Sequence, residues 1–88
     1  MKGIEFMSEL QKKLAIPDFV IANSKVTYEN AVAKKFDAKH NLYALACATV
    51  YLFSKRSGVN LTLNQLCQYA PVTREEVMNA YEELRRTF

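Results

Sequence analysis

Few side chains in this 88-residue chain are of a type that does covalent chemistry. Its one histidine, His40, stands seven positions before Cys47, and the second cysteine, Cys67, lies in a different predicted helix. Structural zinc sites take four protein ligands at short spacings. This set supplies neither the number nor the spacing, so no metal or other cofactor is expected. Cys47 sits in the most apolar stretch of the chain, where burial keeps a thiol protonated and unreactive. Both cysteines are read as small core residues. The chain has no Gly-rich phosphate loop. The carboxylate pairs Glu75–Glu76 and Glu82–Glu83 read as helix caps and solvated surface, with no pocket to make one an acid and the other a base. The chain is therefore expected not to be an enzyme.

The remaining chemistry is that of cations. Lys34, Lys35 and Lys39, together with His40, flank the start of an apolar helix, and lysines beside a helix N-terminus can hold a phosphate. Lys55 and Arg56, at the other end of that helix, are accounted for by its dipole. The net charge is +3 and the isoelectric point about 9.0. Residues 1–60 hold nine Lys/Arg against five Asp/Glu, a balance of +4, whereas residues 61–88 come to −1. This permits an acidic partner without requiring one.

The elements that position these groups follow from composition and punctuation. Half of the residues are hydrophobic and only four are Gly or Pro, which excludes a disordered tail and a Gly/Pro-rich β-sandwich. The longest apolar run, Leu42–Phe53, is too short to span a bilayer. No secretory signal is read at the start, where Glu5 and Glu9 interrupt any apolar stretch. One intracellular domain with reduced thiols is expected.

Gly3, Pro17, Gly58 and Pro71 divide the chain into stretches of helical length. Ile4, Met7, Leu10 and Leu14 share a face of a first helix over residues 4–15. Residues 17–35 carry two apolar stripes, Phe19–Ala22–Val26–Ala33 and Ile21–Tyr28–Val32, and predict a second helix. A strand over 19–27 competes, but the segment lacks period-two alternation. The third helix, residues 41–53, is apolar nearly all round and must be buried nearly all round. Its small residues Ala44, Ala46, Cys47 and Ala48 admit close neighbours, and Asp37 or Asn41 can cap it. Two short helices close the chain. Thr62–Gln65 and Thr73–Glu76 are capping boxes, and the turn at Ala70–Pro71–Val72 joins the helices into a helix-turn-helix. The expected fold is all-α: five helices with the third at the centre and a helix-turn-helix at the C-terminus.

In this arrangement the segment Leu45–Leu84 resembles the latter part of a cyclin-like repeat of transcription factor IIB, including its archaeal relatives. The matching elements are Ala46-Cys47-Ala48-Thr49-Val50-Tyr51, Gly58, Thr62 with Gln65-Leu66, and Val77 with Tyr81 and Leu84. The first forty residues match in helix count and length. The resemblance implies a single five-helix cyclin box over residues 1–88. It also implies a role in transcription initiation, with promoter DNA, the TATA-binding protein and RNA polymerase as partners. In the family, the second helix of the C-terminal repeat's helix-turn-helix reads a promoter element through a hydrophobic residue and an Arg near its start. Aligned on Tyr81, those positions fall on Glu75 and Met78. Methionine cannot make the paired hydrogen bonds by which Arg recognises guanine, and Glu75 and Glu76 repel phosphate. Sequence-specific reading is therefore not expected of this helix. Thr73, Arg74 and Asn79 remain as contacts to phosphates or base edges.

The family also carries two repeats and a zinc ribbon. This chain has one repeat and lacks the ribbon's four ligands, so it is either a piece of a longer protein or a single-repeat relative. A second copy would supply the missing half, which makes a homodimer a further expectation. Two alternative roles stand beside the first. One is a cyclin-box adaptor between proteins without DNA contact. The other is a DNA-binding module in replication, similar to the factor-IIB-like domain of the sixth origin recognition subunit. The compartment would be the cytoplasm for an archaeal or viral protein and the nucleus for a eukaryotic one.

Overall fold

The breakers in the sequence fall at element ends. The computed structural model describes residues 2–88. Helix α1 covers Lys2–Leu14, α2 Asp18–Ala33, α3 Leu42–Arg56, α4 Leu63–Tyr69 and α5 Arg74–Thr87, with a 3-10 turn at Phe36–Ala38. No strand occurs among the described residues. The α1 helix stops because Pro17 excludes the α conformation from its predecessor. Ala15 takes a left-handed φ of 53°, and the Ile16 amide reaches back to the Gln11 carbonyl at 3.2 Å. Asn41, and not Asp37, caps α3: its Oδ1 accepts from the amides of Tyr43 (2.8 Å) and Ala44 (3.4 Å). Gly58 then turns the chain out of α3 at φ 74°, a conformation that suits glycine. Both capping boxes form. The last helix is not short: α5 runs for 14 residues.

Helix α3 is the hub. Every residue from Ala44 to Val50 is buried, as are Leu52 and Ser54. It packs against α1, α2 and α5, while α4 rests on α5 and α1. The small side chains expected to admit neighbours do so. The buried Ser24 hydroxyl of α2 donates to the Val20 carbonyl at 2.7 Å and lies 3.4 Å from the Thr49 carbonyl of α3. Met7 and Leu10 from α1, Val20 and Tyr28 from α2, Leu66 from α4 and Val77 and Leu84 from α5 close over α3. Full burial of an aliphatic side chain of this size contributes about 1.5–3 kcal/mol.

Helix α2 shows how tertiary contact selects among local options. Its buried face is Val20, Ile21, Ser24, Thr27, Tyr28 and Ala31, which follows the second apolar stripe. The first stripe faces solvent, with Phe19 54% and Val26 61% exposed and Ala22 and Ala33 also outside. Helices α3 and α5 are antiparallel neighbours. Tyr51 meets Tyr81 edge-on at 5.1 Å between ring centroids, and Phe88 near the end of α5 meets Phe36, just before α3, at 6.3 Å. The two ends of α5 therefore lie beside opposite ends of α3.

Candidate nucleic-acid interface

The helix-turn-helix places Thr73 and Arg74 at the exposed start of α5. Thr73 is occupied by its own helix: its Oγ1 accepts from the Glu76 amide at 3.1 Å, and its amide donates to Glu76 Oε1 at 2.9 Å. The hydroxyl proton is still available to donate. The same box turns Glu76 back onto the cap. Arg74, the first residue of α5, makes no hydrogen bond or ion pair among the described residues. Asn79 is exposed, but five residues on it lies about 140° round the helix from Arg74. It shares a face with Glu75 and Arg86 instead. Met78 is half-buried and packs on the core, so it presents little surface to a base edge.

The lysines predicted as a group sit beside the other end of α5. Lys34 caps the end of α2, and Lys35 holds a left-handed φ of 66° before the 3-10 turn. Both are exposed. Lys39 is also exposed, but its Nζ lies 3.5 Å from Glu83 Oε2. His40 Nε2 approaches Glu83 Oε1 at 2.6 Å. A carboxylate has only lone pairs to offer, so the ring nitrogen donates. That hydrogen bond, helped by Lys39, holds the Glu83 carboxyl below the usual carboxylate range. Part of the lysine group's charge is thus neutralised within the fold, and Lys34 and Lys35 carry the free remainder. Glu83, nine residues after Arg74, lies about 14 Å further along the helix axis. The structure brings together Thr73 with Arg74, and Lys34 and Lys35 with Lys39, but it keeps the two groups at opposite ends of α5.

Sequence reasoning missed one cation. A cleft of about 370 Å³ opens between the end of α3, the connector to α4 and the start of α5. Its polar lining is Tyr51, Lys55, Asn60, Thr62, Asn64 and Arg74, and no carboxylate contributes. In the sequence Lys55 is accounted for by the α3 dipole alone. Its position within the helix carries no sign that Arg74 will stand across the cleft, because the pairing comes from the antiparallel packing of α3 and α5.

The groups capable of covalent chemistry are buried or engaged elsewhere. Cys47 is fully buried and its thiol is pushed up to about 12 by that burial. Cys67 is half-buried on α4, and His40 is engaged with Glu83. Among the described residues no three His, Cys, Asp or Glu side chains gather as a metal site. No helix of the described residues is long and apolar enough to cross a membrane.

Comparison with known proteins gives one consistent answer. A family model described as the transcription factor TFIIB repeat matches residues 1–87. The chain is similar to the transcription initiation factor IIB of Methanococcus aeolicus, with 30% identity over 83 residues that cover 91% of this chain and 25% of the relative. It is similar to the factor of the same name from Archaeoglobus fulgidus, at 28% identity, 91% of this chain and 26% of the relative. The Methanocaldococcus jannaschii factor is 29% identical, covering 91% of this chain and 12% of the relative. The chain thus spans about a quarter or less of the length of these relatives.

Proposed function

The chain belongs to the transcription factor TFIIB repeat family, and on that premise we propose that it is a non-catalytic module of transcription initiation that docks on duplex DNA by its phosphates. Its mechanism is positioning: a rigid five-helix block offers cations at fixed separation. The observation that carries this reading is the exposed, unpaired Arg74 at the head of the helix-turn-helix, with Lys34 and Lys35 in the connector after α2, next to Phe36, which meets Phe88 at the far end of α5. Along α5, Arg74 and Glu83, which Lys39 touches, are about 14 Å apart, comparable to the roughly 12 Å width of the major groove. One duplex can therefore meet both ends of α5 with phosphates from the two sides of a groove. Thr73 can add a hydrogen bond at the first end, Lys39 a partly neutralised charge at the second, and Asn79 a contact on the adjoining face. Glu75 and the half-buried Met78 argue that binding is largely independent of sequence.

A second reading, docking to the TATA-binding protein or RNA polymerase, is favoured by the exposed stripe of α2. Phe19 and Val26 together present apolar surface on a helix that gains nothing from exposing it.

Salt separates the two readings. Phosphate contact predicts duplex affinity that falls steeply between about 50 and 200 mM salt. It also predicts that Arg74→Ala and the pair Lys34→Ala/Lys35→Ala each weaken binding. Apolar docking predicts little salt dependence and no retention on duplex DNA. Equal duplex affinity in wild type and both variants would remove the DNA reading.

A further inference from the structure

The cleft at the start of α5 has the make-up of an anion seat. Lys55 and Arg74 enter it from two helices, and neither is paired with a carboxylate among the described residues. Lys55 is held in place from within its own helix. Its Nζ stands 5.2 Å above the Tyr51 ring centroid and 3.5 Å from the Tyr51 hydroxyl. Asn60 and Asn64 line the same space, and their side-chain amides make no hydrogen bond among the described residues. Two acids follow Arg74 directly, but neither Glu75 nor Glu76 lines the cleft, and Glu76 is turned back into the Thr73 cap. Two unpaired cations held in one cleft repel each other, and an anion between them removes that repulsion. Guanidinium offers a fork that matches phosphate oxygens, ammonium a point charge, and amides further donors. The cleft, about 370 Å³ and open to solvent, is large enough to admit a phosphate group.

We propose that this cleft is a phosphate seat in which Lys55 and Arg74 grip a phosphodiester of duplex DNA from two sides, with Asn60 and Asn64 donating to its oxygens. The proposal rests on the DNA reading above, shares Arg74 with it, and extends it to Lys55, Asn60 and Asn64. Duplex DNA is favoured over an acidic peptide by the second cationic group at the other end of α5, which suits a partner whose negative charges repeat regularly. The shared chemistry is phosphate, which a nucleic-acid backbone or a free anion can supply.

The test is fluorescence anisotropy of a labelled duplex of about 20 base pairs over a salt series, with the full chain and the variants Lys55→Gln, Arg74→Gln and Lys55→Arg. Each position is exposed, and an unchanged far-UV circular dichroism spectrum checks the fold. Each Gln variant is expected to weaken binding about three- to tenfold and to reduce the slope of log affinity against log salt by about one. Lys55→Arg is expected to keep the wild-type slope. Inorganic phosphate is expected to displace the duplex no better than chloride at equal ionic strength. Gln variants that match wild type, while Lys34→Ala/Lys35→Ala still weakens binding, would overturn the seat and leave the DNA reading standing. No duplex binding by wild type at low salt would overturn both. Displacement by millimolar inorganic phosphate would assign the cleft to a free anion. Tighter, Lys55-dependent binding of an oligoglutamate peptide would assign it to a protein partner. Either result overturns the proposal.

Discussion

Cys47 reports on whether α3 is wrapped by its neighbours, and its alkylation rate can be predicted from the structure. The side chain has no exposed surface, and burial, with a smaller contribution from Cys67, raises its thiol to about 12 from an ordinary 9.0. Near pH 8 the thiolate fraction is then about one in 10⁴, against about one in ten for an unperturbed thiol. Ionisation alone slows reaction within the folded state about a thousandfold, before steric exclusion is considered. The alternative route is through an opened state. A chain of this size has a global stability of about 4–13 kcal/mol, and opening at even the lower figure slows reaction by about 10³. Both routes give a protection of at least about a thousandfold. Cys67 is half-buried at the surface of α4, and its thiol is raised by burial but pulled down by Arg74. The assay is alkylation by iodoacetamide under native conditions, with site-resolved mass spectrometry. Cys67 should react at least about a hundred times faster than Cys47, and urea should abolish the difference as the chain unfolds. Native rates within tenfold of each other would refute the central placement of α3.

The close approach of α1 and α2 gives a second prediction. Gly3 is buried against the Tyr28 ring, and a Cβ there would overlap ring atoms of a fully buried side chain. Gly3→Ala gains up to about 1 kcal/mol of helix propensity, but overpacking costs about 1–3 kcal/mol, so the urea midpoint should fall; a rise would mean that the two helices are less tightly apposed. The Glu83 clasp gives a third prediction. His40 and Lys39 hold this carboxyl below its ordinary value, so the folded state takes up its proton less readily than the unfolded state. Its stabilisation is present above the ordinary carboxylate pKa of about 4.3 and is lost as pH falls through the lower folded value. Chemical denaturation from about pH 6 down to about pH 3 should therefore show a steeper loss for wild type than for Glu83→Gln, and parallel curves would contradict the clasp.

The predictions on binding turn on how charge is distributed over the fold. The formal net charge is +3, but the internal contacts do not consume it evenly. Glu83 pairs with Lys39 and accepts a hydrogen bond from His40, and Arg85 pairs with Glu82 at 2.7 Å. Lys34, Lys35, Lys55 and Arg74 form no such pair among the described residues. These four mark the ends of α5 and the cleft beside it, which gives a polyanion a reason to bind along that helix. The exposed stripe of α2, with Phe19 and Val26, offers a different kind of contact.

Features set by interactions between near neighbours were legible in the order of residues. The prolines and Gly58 act through the allowed angles of one or two residues. A capping box closes within four residues, so Thr62–Gln65 and Thr73–Glu76 could be read directly. The near-continuous apolar character of residues 42–53 required burial on all sides, and so a central place for α3. Other features involve partners far apart in sequence, and those depend on how the helices pack. Helix α2 carries apolar side chains on both faces, so nothing local chooses between the Phe19–Val26 and Ile21–Tyr28 stripes; packing against α3 chose the second and left the first in water. His40 meets Glu83 across 43 positions, and Lys55 reaches the Arg74 cleft only because α3 and α5 lie antiparallel. Helical period and capping extend over a few residues, whereas the grouping of charges into a site depends on how whole helices pack.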